Sequence, residues 1–195
     1  MSIIPSVTIE TIKNYNEKWD SIERNVFQEK SLELLFRKDY PENIIIENIL
    51  IKVCCLNQFY STNILSPIIV AKHILSLFVD KYFANDKIEI VNKIAMIEMP
   101  NGKNRNFYSY ASKYCSFHYP ESFPIYDYYV EKALLHYQKQ DDFFGFKKED
   151  LLNYPKFVNI LSHFKEYYKT MEFSFKEIDK YLWQVGKEFF PKNYK

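Results

Sequence analysis

The chain has 195 residues, and its 26 Lys and Arg against 25 Asp and Glu leave a formal net charge of +1, so no overall basic field marks it for nucleic acid. Hydrophobic residues make up 47%, enough for a core, which excludes global disorder, and only 3 Gly and 8 Pro argue against a turn-rich β-sandwich or barrel. Three cysteines, two of them the adjacent Cys54 and Cys55, make a poor disulfide framework and point to a reducing cytoplasm. No stretch reaches the roughly 18 apolar residues of a membrane span. The segment Met1–Pro5 lacks the charged and apolar regions of a signal peptide.

The apolar period is helical almost throughout. Thr8 caps a first helix with Ile9, Ile12, Tyr15 and Trp19 on one face. A second, from about Glu29 to Arg37, is led by Leu32, Leu35 and Phe36 and is stopped by Pro41. A third, near Ile44 to Asn57, is apolar on most sides, the mark of a central helix, and Glu47, Asn48 and Lys52 break any period of two. Ser66 and Pro67 open a helix running to about Phe83, and a short one follows from Asp86 to Ile97. Pro100-Asn-Gly102 reads as a turn, and Asn106 to Phe117 as a helix ended by Tyr119-Pro120. Asp127 caps a helix to about Gln138, and two last helices span about Tyr154 to Met171 and Ser174 to Phe190.

The class predicted is all-α, a single domain over residues 1–195. The last helix carries Ile178, Tyr181, Leu182 and Val185 on one face, which predicts packing against the N-terminal helices. That gives a two-lobed bundle with a cleft between lobes, one lobe at about 44–119 and the other at about 1–43 plus 120–195; Asp179 and Trp183 are candidates to face the cleft, with core packing favoured for Trp183.

Charge is uneven. From Met99 to Pro120 there is no acidic residue, while Lys103, Arg105, Lys113 and His118 alternate with Phe107, Tyr108, Tyr110, Tyr114, Phe117 and Tyr119. Such a surface binds phosphates and stacks bases, although a helix with a solvated basic face and an aromatic core face has the same composition. His73, His118, His136 and His163 are scattered, and Cys115 with His118 lacks a second pair, so no metal site is expected. There is no Gly-rich phosphate loop and no nucleophile elbow.

The segment Phe123-Pro-Ile-Tyr-Asp127, followed by Val130, puts a carboxylate at a helix cap behind a conformationally fixed proline. It resembles the catalytic-aspartate motif of the helix-hairpin-helix DNA glycosylase superfamily, in wording closest to the adenine-glycosylase branch. Eighteen residues before Asp127, where that family has Lys or, in some monofunctional members, Ser, stands Ser109, and Ala111 matches two places later. Ile49 to Gln58 resembles the family's early apolar helix, with Gln58 in place of the glutamine that approaches the opened duplex. The resemblance covers roughly residues 44 to 135. Arg105-Asn106-Phe107 stands where the family's hairpin Gly-x-Gly grips a phosphate, so the hairpin is degenerate, and the four-cysteine iron–sulfur motif is absent.

The resemblance implies a DNA glycosylase without a cofactor, acting on double-stranded DNA that contains a damaged or modified base, with no membrane and no obligate protein partner. The catalytic residues it implies are Asp127, Ser109 and Lys113, one helical turn after Ser109 on the same face. Contacts to DNA fall to Gln58, Lys103, Arg105, Asn106 and Tyr108. The base pocket falls to Tyr126, Tyr128 and Tyr114, with Tyr129 and Phe117 as alternatives. Ser109 at the lysine position favours base removal without strand cleavage; Lys113 would supply the amine for a Schiff base if the strand is cut. A helix N-terminus favours negative charge, so cap and catalytic roles of Asp127 are compatible. The target is either an ordinary lesion or a hypermodified base of invading phage DNA. Two rival readings remain: a non-catalytic DNA-binding protein on the same scaffold, and a helical protein-interaction module in which Asp127 is only a cap.

Overall fold

The computed structural model describes residues 4–192, so Met1–Ile3 of the segment read for a signal peptide lie outside the described residues. Among the described residues the fold is all-α apart from one two-stranded hairpin. Its elements are α1 (Ile9–Asp20), α2 (Glu23–Leu34) running into a π-helical turn (Leu35–Asp39), α3 (Ile46–Tyr60), α4 (Pro67–Ser76), α5 (Asp80–Phe83), α6 (Ile90–Ala95), β1 (Met96–Glu98), β2 (Asn104–Asn106), α7 (Tyr108–His118), α8 (Tyr128–Asp141), a 3-10 turn (Lys148–Leu152), α9 (Tyr154–Tyr167) and α10 (Phe175–Phe189). Among the described residues no helix is long and apolar enough to cross a membrane.

The chain divides into two compact units. One takes in residues 1–25 and 124–195 and the other 26–123, so the boundary at the N-terminal side falls inside α2.

In the first unit α10 packs against both α1 and α8. Its start is fixed by a capping box: Ser174 Oγ accepts from Glu177 N, and Ser174 N donates to the Glu177 carboxylate at 2.7 Å. Ile178, Tyr181, Leu182 and Val185 are all fully buried, as their shared face requires. Gly186 permits the close approach of α10 to α8, since a Cβ there would stand 2.1 Å from the Tyr129 carbonyl oxygen. Trp183 lies edge-on to Trp19 at 5.5 Å and to Tyr129 at 5.8 Å. The buried tyrosine hydroxyls find partners: Tyr181 and Tyr137 share a bond of 2.7 Å, and Tyr137 donates to the Pro5 carbonyl.

In the second unit α3 packs on α4 and α7, and α6 on α7. Here two expectations are corrected. The helix expected from Pro67 to Phe83 is broken, because Phe78 takes a left-handed backbone (φ 51°) between α4 and the single turn of α5. The helices expected to reach Ile97 and to begin at Asn106 instead give way to an antiparallel hairpin, Met96 opposite Asn106 and Glu98 opposite Asn104. Ile97 is buried while its neighbours Met96 and Glu98 are exposed, a period of two that three residues are too few to advertise. Gly102 supplies the left-handed turn residue (φ 73°), and its N–H closes on the Met99 carbonyl.

Candidate functional site

Asp127 caps α8: its backbone is extended, and Oδ1 accepts from Tyr129 N at 3.0 Å. The residues ahead of it are pinned one after another. The Pro124 carbonyl accepts from the buried Tyr154 hydroxyl of α9 at 2.6 Å, and Ile125 N donates to Asp179 Oδ2 of α10 at 2.6 Å. The Tyr126 hydroxyl donates to Glu131 Oε2 at 2.5 Å. Three helices of the first unit thus hold the approach to one half-buried carboxylate. Asp179, a candidate for the cleft, is buried and serves this strap, and Trp183 is half-buried against Trp19 and Tyr129.

Tyr126, proposed for a base pocket, is 8% exposed and lies edge-on to Phe157. Tyr128 is half-buried at the start of α8, with the ammonium groups of Lys132 and Lys192 over its ring at 5.2 and 4.6 Å. Tyr129, its alternative, is drawn into the Trp183 contact.

In the second unit, Ser109 and Lys113 meet one turn apart on α7: Lys113 Nζ donates to Ser109 Oγ at 2.7 Å. The amine also stands 5.5 Å from the ring centre of Tyr60, at the end of α3, so that helix end and this face of α7 are neighbours. Lys113 is only 4% exposed, so it does not lie on a solvated basic face of α7. Gln58 is exposed on the last turn of α3, two residues before Tyr60.

The expected DNA contacts divide. Lys103, Arg105 and Asn106 are exposed on and beside β2, so the segment 105–107 belongs to a β-hairpin that presents two cations. Tyr108 does not join them: it is buried, and burial raises its hydroxyl pKa above the ordinary range. Tyr114 is fully buried, edge-on to Phe36, with its hydroxyl donating to Asn43 Oδ1 at 2.5 Å; it is a core residue and not the wall of an open pocket. Phe117 is buried against Phe36 and Tyr60. The aromatic half of the Met99–Pro120 pattern is therefore largely core, because the face of α7 that carries it turns inward.

Among the described residues no group of three or more His, Cys, Asp or Glu could hold a metal ion. Cys115 is buried, which pushes its thiol pKa up, and Cys54 is an exposed free thiol.

Sequence reasoning passed over the network of Lys52, Asn43 and Asp80, joined by a buried and a part-buried hydrogen bond. The signal was present. Lys52 falls three residues after Ile49 and four before Leu56, at core spacing on an otherwise apolar helix.

The family model HI_0787_N, described as an N-terminal domain, matches residues 11–122. The match spans α1 to α7, including Gln58, Ser109 and Lys113, and ends before Asp127. A protein of Haemophilus influenzae (strain ATCC 51907 / DSM 11121 / KW20 / Rd), described as uncharacterized, is 44% identical over 153 residues, which cover 78% of this chain and 73% of the relative. No solved structure matches the chain.

Proposed function

We propose that this chain, which belongs to the HI_0787_N family, is a DNA N-glycosylase: it hydrolyses the bond between sugar and a damaged or modified base and leaves an abasic site. Breaking that bond sends its electron pair to the departing base and leaves positive charge on the sugar. A fixed carboxylate stabilises the charge and orients the water that adds to the anomeric carbon. The reading gives this role to Asp127. The observation that carries it is the strap ahead of Asp127, where Pro124, Ile125 and Tyr126 each take part in a hydrogen bond to a different helix. Such a frame is more than a helix cap needs, since a cap is complete with the single bond to Tyr129 N. Positional accuracy of this kind is what electrostatic catalysis requires.

The other roles follow the exposed groups. Lys103 and Arg105 contact phosphates from the hairpin, and Gln58 contacts the duplex. Tyr128 is the remaining accessible ring for the base. Ser109, at the position where the glycosylase resemblance places Lys or Ser, favours base removal without strand cleavage.

The test is incubation of the protein with a panel of lesion duplexes and with genomic DNAs carrying ordinary or hypermodified bases, scored for abasic sites by alkali cleavage. Alkali-dependent breaks that vanish in Asp127→Asn support the reading and separate a repair substrate from a phage-type one. Breaks that need no alkali would make Lys113 a nucleophile. DNA binding with no breaks on any member of the panel would replace the enzyme by a non-catalytic DNA-binding protein, a second reading favoured by the hairpin that stands in place of Gly-x-Gly.

A further inference from the structure

The unit of residues 26–123 contains a polar network that base removal does not use. Lys52 is fully buried. Its ammonium donates to the carbonyls of Tyr40 and Glu42, both at 3.0 Å, and to Asn43 Oδ1 at 2.7 Å, and it lies 3.3 Å from His118 Nε2. Asn43 extends the chain of bonds, donating from its backbone N–H and its amide to the two oxygens of Asp80 at 2.7 and 2.6 Å. Burial lowers the Lys52 pKa to about 8 against the opposing pull of Asp80, so the amine still carries its proton at neutral pH.

An ammonium can only donate, so the His118 nitrogen that faces it, Nε2, is the bare one and the ring proton sits on Nδ1. The end of a helix ordinarily favours a charged histidine. Here burial outweighs it, helped by the charges of Lys52 and Arg37, and holds His118 well below its usual range. The ring is therefore a neutral donor of fixed tautomer.

His118 lines a pocket of about 350 Å³ together with Phe36, Arg37, Pro41, Tyr119 and Glu121, a volume at the small end of the range for small-molecule sites. The pocket lies away from the Ser109–Lys113 pair, because His118 comes five residues after Lys113, about 140° around α7. The π-helical turn shapes its other wall: Phe36 is fully buried, edge-on to His118 at 5.0 Å, while the next residue, Arg37, is exposed. A π turn sacrifices regular hydrogen-bond geometry and recurs where side chains are re-aimed at functional sites. Tyr119, 48% exposed, lies nearly parallel to the His118 ring at 6.2 Å.

We propose that this pocket binds a mononucleotide. The base lies against Pro41 and Tyr119, the phosphate is taken by the Arg37 guanidinium and the His118 Nδ1–H, and Glu121 at the rim accepts an exocyclic amine. Both signs of charge beside flat apolar surfaces fit a ligand that is anionic at one end and a planar hydrogen-bond donor at the other. A free nucleotide and the phosphorylated terminal nucleotide of a DNA strand share this chemistry. The site is independent of any action of Asp127 on a glycosidic bond.

Calorimetry on the full chain with adenosine monophosphate, adenosine, orthophosphate and a terminally phosphorylated dinucleotide tests the proposal. Adenosine monophosphate is expected to bind with a Kd of about 1 mM or tighter, and adenosine or orthophosphate at least about tenfold more weakly. Arg37→Ala and Tyr119→Ala, at exposed positions, each weaken the nucleotide by about tenfold or more. In the unmutated protein the His118 ring nitrogen resonances shift on addition of the nucleotide. Tighter binding of the dinucleotide assigns the site to a strand end, and tighter binding of the mononucleotide assigns it to the free ligand. No saturable binding up to about 5 mM, equal binding of orthophosphate, unmoved His118 resonances, or affinities that both variants leave unchanged would each overturn it.

Discussion

The two units satisfy their buried polar groups by different chemistry. In residues 26–123 an ammonium is fully enclosed among two carbonyls, Asn43 Oδ1 and His118 Nε2, with Asp80 behind Asn43. In the unit of residues 1–25 and 124–195 tyrosine hydroxyls, neutral donors, tie Tyr181 to Tyr137, Tyr137 to Pro5 and Tyr154 to Pro124, beside the buried carboxylates of Glu131 and Asp179. A neutral hydroxyl that loses its partner costs the desolvation of one dipole, whereas a buried charge that loses a partner costs several times more. Loss of one tyrosine hydroxyl should therefore cost less than loss of a partner of Lys52.

The largest effect is expected at Asn43. Asn43→Ala removes an acceptor of Lys52 and of Tyr114 and leaves Asp80 without its amide donor, and should lower unfolding free energy by about 4 kcal/mol in a denaturant titration. Next comes Gly186→Ala in the other unit. Alanine improves helix propensity by about 1 kcal/mol, but its Cβ meets the Tyr129 carbonyl of α8, which cannot rotate away as a side chain would; the net loss should be about 3 kcal/mol. A loss there larger than that of Asn43→Ala would break the comparison by showing that a backbone clash costs more than a buried charge without its partner.

A third expectation concerns pH. The Lys52 pKa is lowered on folding, to about 8 from 10.5, so the unfolded chain binds more protons between these values and stability from this group rises with pH. From pH 8 to pH 10 the gain should be about 2 kcal/mol, absent in Lys52→Met. His118 is also lowered, by burial first, so its contribution is complete above its unfolded value near 6.5 and is lost as pH falls below it. The tyrosines of the other unit are raised by burial, so they act only at alkaline pH, where ionisation of Tyr137 or Tyr181 is easier in the unfolded chain and stability falls. The smallest effect is the α10 cap, where Ser174→Ala should cost about 1 kcal/mol and lower the melting temperature slightly.

Local signals were the legible ones. Thr8, Asp127 and Ser174 each cap the helix that their position announces, because a cap is written in the residue and its next three neighbours. The face of α10 was readable for the same reason. What escaped depends on distant partners. The break at Phe78 precedes Asp80, whose carboxylate is engaged by Asn43, 37 residues earlier in the chain. The hairpin is only three residues on each side. At the candidate site the pairing of Ser109 with Lys113 followed from helical spacing, whereas the burial of Tyr108 and Tyr114 did not, since an aromatic and basic helix has the same sequence whichever face turns inward. The strap ahead of Asp127 was invisible because it is built from α9 and α10, far along the chain.

The central claim is that Asp127 does more than cap α8, and Asp127→Asn separates the two roles. Asparagine caps a helix about as well as aspartate, so folding should be untouched, while the negative charge is gone. Single-turnover formation of abasic sites in the best duplex of the panel, measured beside the melting temperature and the DNA affinity, is the direct test. The account predicts a rate lower by about a hundredfold or more with melting temperature and affinity unchanged. Full activity in Asp127→Asn would contradict it and return Asp127 to the role of a cap.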